Sequence, residues 1–141
     1  MKKNSCFLVF LLLIIISFQC KSAKNEKRFG EHLNSGVFTV ETLNGNNIQN
    51  QELTLAIDAE QNRISGQSSC NGYGVSYEMR ENTLELGFVI ATKMYCEGMM
   101  EIEREFLKAV GDIKKFKYKE NNKKLVFFDQ EENKIIELSN Q

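Results

Sequence analysis

The residues best placed to do chemistry lie in a glycine-punctuated turn, Ser68-Ser69-Cys70-Asn71-Gly72, and in the later segment Thr92-Lys93-Met94-Tyr95-Cys96. A thiol becomes a nucleophile only with a base in reach of its proton. The single histidine, His32, sits far upstream in a polar stretch with no second histidine or cysteine beside it. Half of a disulfide is therefore the stronger reading of Cys70. Asn71 carries an amide that could contact a ligand; between a cysteine and a glycine, its commoner work is to take a left-handed turn conformation or to bond nearby backbone. Tyr73, Tyr77 and Tyr95 could form an aromatic surface, although alternating placement suits packing with the hydroxyl at an edge. Of Glu101, Glu103 and Glu105, residues two apart do not share a helical face, so only Glu101 and Glu105 could pair. All three read as charge on a solvated face. Metal-ligand clusters, phosphate loops and hydrolase elbows are missing from the sequence, so neither metal nor cofactor nor catalysis is expected. Asn71, Tyr73, Thr92, Lys93 and Met94 form the candidate surface site.

The N-terminus bears on where such a site would work. Met1-Lys2-Lys3 precedes an apolar run from Phe7 through Phe18, shorter than the roughly 20 residues of a spanning helix and suited to a secretory signal. The run ends in Gln19-Cys20-Lys21. A cysteine there resembles the lipidation site of bacterial lipoproteins, with Gln19 where that pattern prefers a small residue; the alternative is an ordinary cleaved signal. Residues 1–19 would be removed, Cys20 would carry lipid, and the protein would be anchored in the cell envelope, at the outer membrane. Of the four cysteines, Cys6 leaves with the signal, so Cys70 and Cys96 remain. An oxidising compartment favours a bond between them, two buried free thiols being the alternative.

The elements that must position these residues follow from hydrophobic period. Residues 20–35 are polar with no period of 2 or 3.6 and read as a solvated tether, leaving 36–141 as one domain. Alternation then marks short strands through Phe38 and Val40; Leu53, Leu55 and Ile57; Ile64; Tyr73, Val75, Tyr77 and Met79; and Leu84, Leu86 and Phe88. Leu43 through Asn47 read as a turn. Over 97–113 the period changes: Met99, Ile102, Phe106, Val110 and Ile113 form one helical stripe, with Gly111 as a left-handed terminator. Strands resume at Phe116 and Tyr118, at Leu125 and Phe127, and at Ile135, Ile136 and Leu138. Hairpin spacing and the lack of proline predict a mainly β, α+β domain: an antiparallel, partly open barrel of about eight strands with one helix after the fifth. The large branched residues on the inward faces predict a filled interior.

Composition narrows the partners. The 141 residues, 42% hydrophobic and 26% charged, carry a formal net charge of −1, which lacks the clustered positive excess of a nucleic-acid binder. A monomer is expected.

Taken together, Gly66 through Tyr77 with its Cys-Asn turn, Thr92-Lys93-Met94-Tyr95-Cys96, and then Glu103 or Glu105 with Phe106-Leu107 resemble the META domain, the HslJ-like family of small envelope proteins. The resemblance covers about Gly36 to Leu138, with Phe38 where members often carry tryptophan. It implies an antiparallel β fold with one helix, a lipoprotein or secreted location, an association with heat or antibiotic stress, and no established enzymatic activity. The function expected is that of a non-enzymatic, lipid-anchored envelope protein that binds an unidentified envelope protein; carriage of a small ligand or lipid in the barrel mouth is the alternative.

Overall fold

A computed structural model describes residues 29–141; the signal segment 1–19, the expected lipid site Cys20 and tether residues 20–28 lie outside the described residues. Strand β1 (Gly36–Leu43) turns back at Asn44 and Gly45, whose φ values of 48° and 84° make the tight turn to β2 (Asn46–Asn47) that a two-residue hairpin needs. A bulge between Val40 and Thr42 shifts the alternation of β1. Phe38, Val40 and Leu43 therefore face the core; Leu43, expected in the turn, is the last residue of the strand.

The strands that follow are β3 (Thr54–Asp58), β4 (Arg63–Gln67), β5 (Gly72–Arg80), β6 (Thr83–Leu86) and the two-residue β7 (Ile90–Ala91). Helix α1 spans Met100–Gly111, and β8 (Lys115–Lys119), β9 (Lys124–Phe128) and β10 (Lys134–Asn140) close the chain. The sheet is antiparallel, in the order β6-β5-β4-β3-β1-β10-β9-β8, with β2 on β1 and β7 on β5. Its ends approach each other, since the Leu84 N–H donates to the Lys114 carbonyl at 2.7 Å. This is the partly open barrel expected, its eight longer strands in the expected places. The expected fifth strand stops at Leu86, and Phe88, expected on it, is 94% exposed.

Inside, Phe106, Phe116 and Phe127 with Leu43, Leu53, Leu55, Ile64, Leu84, Leu125, Ile136 and Leu138 are fully buried. Of the apolar residues that the alternation marks, Met79, Leu86 and Tyr118 are partly buried at the core's margin, Phe88 is exposed, and the others are buried. The helix contributes Phe106, Ala109 and Val110, and Ile113, just past its C-cap, is buried with them. Met99, expected on its stripe, is exposed at the N-cap position. Gly111 lies within the helix and the C-cap residue Asp112 has φ −86°; no left-handed residue ends it. The positive φ near this helix belongs to Gly98, at 77°, in the turn before it.

Residues 29–35 are not a solvated tether. The Gly30 N–H donates to Phe116 O, the Asn34 N–H to the Tyr118 hydroxyl and the Ala59 N–H to Ser35 Oγ. Leu33 is 5% exposed, and Phe29 stands edge-on to Phe128 at 5.3 Å. A polar composition hid one apolar anchor at each end of a strap along β8.

Candidate functional site

The turn between β4 and β5 carries the first half of the site. Ser69 takes the left-handed conformation there, φ 79°, which frees Asn71 to point inward. The Asn71 backbone N–H donates to Glu103 Oε2 at 2.9 Å, and its Nδ2 donates to Glu103 Oε1 at 2.8 Å and to the Met94 carbonyl at 3.1 Å. Its Oδ1 accepts from the Thr92 hydroxyl and the Met94 N–H, both at 2.7 Å. An amide has two N–H donors and room for two donors at its oxygen, so this one is saturated. Ser68 completes the cluster, its hydroxyl 2.7 Å from the Asn71 carbonyl and 3.1 Å from Glu103 Oε2. Cys70 is bonded to Cys96, with Cα atoms 5.9 Å apart.

These contacts revise the candidate surface site. Asn71 is 1% exposed and Tyr73 is buried, its hydroxyl donating to Thr54 O at 3.1 Å and its ring edge-on to Phe106. Burial pushes the Tyr73 phenol well above its ordinary range. Neither residue is available to a ligand. Thr92, Lys93 and Met94 are exposed, and the buried pair of Asn71 and Glu103 holds them in place. The function of Asn71 is to shape the surface from beneath.

Glu103, read as a solvated charge, is 6% exposed. The signal was present: Glu103 precedes Phe106 by three residues and Val110 by seven, so it lies on the buried stripe. A carboxylate at such a position needs donors, and the Cys-Asn turn supplies them from 32 residues earlier in the chain.

Two surface features adjoin this clamp. The first is an exposed apolar run along the connection from β6 to α1: Phe88 is 94% exposed and Tyr95 80%, with Ile90, Met94 and Met99 also in solvent. The second is a shallow cleft of about 770 Å³ on the outer face of β4, β5 and β7, bounded by Arg63 and Gln67 on one side and Phe88 and Ile90 on the other. Its floor includes Gly72 and Gly74; a side chain at Gly74 would meet the Arg63 guanidinium at 2.9 Å. Among the described residues no group of three or more His, Cys, Asp or Glu is placed to hold a metal ion. No helix of the described residues is long and apolar enough to cross a membrane.

A family model described as META domain matches residues 31–141. An NMR structure of a protein from Burkholderia xenovorans is similar, with a TM-score of 0.60 and 20% identity over 77% of this chain and 83% of that one, a likeness that bears on the fold. No curated protein matches the sequence significantly.

Proposed function

From the premise that this chain belongs to the META domain family, we propose that it is a non-enzymatic envelope protein, lipid-anchored through Cys20, that acts in stress tolerance or envelope maintenance by binding another protein. The observation that carries the binding reading is the exposed run from Phe88 to Met99, because large side chains left in water beside a rigid clamp mark an interaction surface. The clamp also limits the ordering entropy that a partner must overcome. A filled barrel favours this over carriage of a lipid in the barrel mouth, since the inward positions are occupied by fully buried phenylalanine, leucine and isoleucine. The non-enzymatic reading is supported by Cys70, whose sulfur is committed to Cys96, and by His32, exposed on the strap.

The test is a photo-activated cross-linking amino acid placed at Phe88 and Tyr95 in living cells, with Asn121 as an exposed control. One discrete protein adduct is expected at Phe88 and Tyr95 and none at Asn121. Lipid adducts alone, or the same ladder at all three positions, would sink the binding reading. Anchoring is tested separately: Cys20→Ser should move the protein from the membrane to the soluble fraction, and continued membrane association would refute lipidation.

A further inference from the structure

We infer that the cleft over β4, β5 and β7 binds an extended polypeptide segment of the partner in which acidic and apolar residues alternate. This rests on the protein-binding reading and names the part of the surface that recognises sequence. Three features of the cleft point the same way.

Its floor has no side chains of its own at Gly72 and Gly74, and the Arg63 guanidinium lies over Gly74. Gly74 of β5 is opposite Ser65 of β4 on one side and Ile90 of β7 on the other, and Gly72 is opposite Gln67. The flanking rows of side chains thus stand two ladder spacings apart, about 10 Å, with glycine between them. That trough has the width of an extended backbone and runs along the strand direction.

Its walls differ in kind. On the β4 side, Arg63 is exposed and its side chain makes neither an ion pair nor a hydrogen bond with any described residue. A guanidinium presents five donors in a fork that matches a carboxylate, and here it lies across the floor where Gly74 leaves room. On the β7 side stand Phe88 and Ile90, both exposed. Successive side chains of an extended chain point to opposite sides. A segment lying along the trough would therefore send one set of residues to Arg63 and the alternate set to Phe88 and Ile90. Acid on one side and an aliphatic or aromatic residue on the other complement the walls.

Its shape is open. A lipid chain would bury only one side in such a shallow cleft, whereas a peptide gains from hydrogen bonds to the polar wall as well as from apolar contact.

The experiment is panning of a random decapeptide library on the full chain held in detergent micelles, followed by affinity measurement of the enriched peptides. Enrichment of alternating acidic and apolar sequences is expected. Their affinity should fall roughly tenfold to a hundredfold in Arg63→Gln, less in Arg63→Lys, and comparably in Phe88→Ser, with unchanged melting temperatures showing that each variant is folded. Enriched peptides without acidic residues, or binding indifferent to Arg63→Gln, overturn the inference. So does protection of Arg63 and Phe88 by phosphatidylglycerol vesicles in place of peptides, which would assign the cleft to a lipid surface. Peptides that bind but respond only to Met94→Ser and Tyr95→Ser would refute the cleft while leaving the protein-binding reading intact. A library with no binder, together with no cross-linked protein in cells, would remove both.

Discussion

Removing the Glu103 carboxylate would leave the Asn71 N–H and one proton of its amide short of an acceptor in a buried site, while the Ser68 hydroxyl keeps the Asn71 carbonyl. Each stranded donor costs about 1–3 kcal/mol, and relaxation recovers part of the sum. Glu103→Ala is therefore expected to lower unfolding free energy by about 3 kcal/mol, and Glu103→Gln, which keeps one oxygen, by less; urea denaturation compares them. Equal stability of Glu103→Ala and the parent would show that the cluster is not a clamp. Tyr73 gives a second residue-scale expectation. Burial raises its phenol, and burial is also the first cause of the raised values of Tyr77 and Tyr118. Above about pH 10 the unfolded chain loses phenolic protons that the folded chain keeps. The unfolded state then binds fewer protons, and stability falls as pH rises. It should be fully present below about pH 10 and decline above it. In Tyr73→Phe the decline should be shallower, even though the lost bond to Thr54 lowers stability at pH 8 by about 1 kcal/mol. Denaturation at pH 8 and pH 11 checks both, and an unchanged slope would contradict the assignment.

At the scale of elements, the Cys70–Cys96 bond and the Asn71–Glu103 cluster do the same task twice, fastening the β4–β5 turn to the start of α1. The bond closes a sequence separation of 26 residues, for which loop entropy predicts a stabilisation of about 3–4 kcal/mol. Replacing both cysteines with alanine should lower the denaturation midpoint accordingly and make it indifferent to reductant. Two reactive thiols in unreduced, exported protein would overturn the pairing. Because the hydrogen-bond cluster remains, the double variant is expected to keep the fold. The α1 N-terminus shows why this redundancy matters: Met99 gives no side-chain cap, so the helix start is held by its tertiary contacts and not by a local cap.

For the whole molecule, the decisive feature is how the barrel closes. Strands β6 and β8 meet through the bond from Leu84 to Lys114, and the strap of residues 29–35 runs along β8. Edges left bare would invite pairing with other chains; the strap covers one of them and buries Leu33. Leu33→Ala is expected to cost about 2 kcal/mol, at the low end for a buried leucine because the site is at the margin. Thermal melting of the variant measures it. A change within error would mean that the strap is not part of the fold and that the domain begins at β1.

Period and punctuation alone determined most of this protein. Alternation in Leu53, Leu55 and Ile57 or in Tyr73, Val75 and Tyr77 marks a strand because successive side chains point to opposite faces, and the 3.6-residue stripe through Phe106, Val110 and Ile113 marks the helix. Such signals are local, so they survive in the linear text. Where they failed, a distant partner had the deciding role. Glu103 reads as a surface acid until the turn from 32 residues earlier surrounds it with donors. Asn71 reads as a turn residue until Thr92, Met94 and Glu103 saturate its amide. Leu33 reads as part of a polar tether until β8 offers it a place, and Phe88 reads as a strand residue until β6 ends at Leu86. Whether a side chain is buried depends on what covers it, and that cover comes from elsewhere in the chain; only the tertiary structure could assign it.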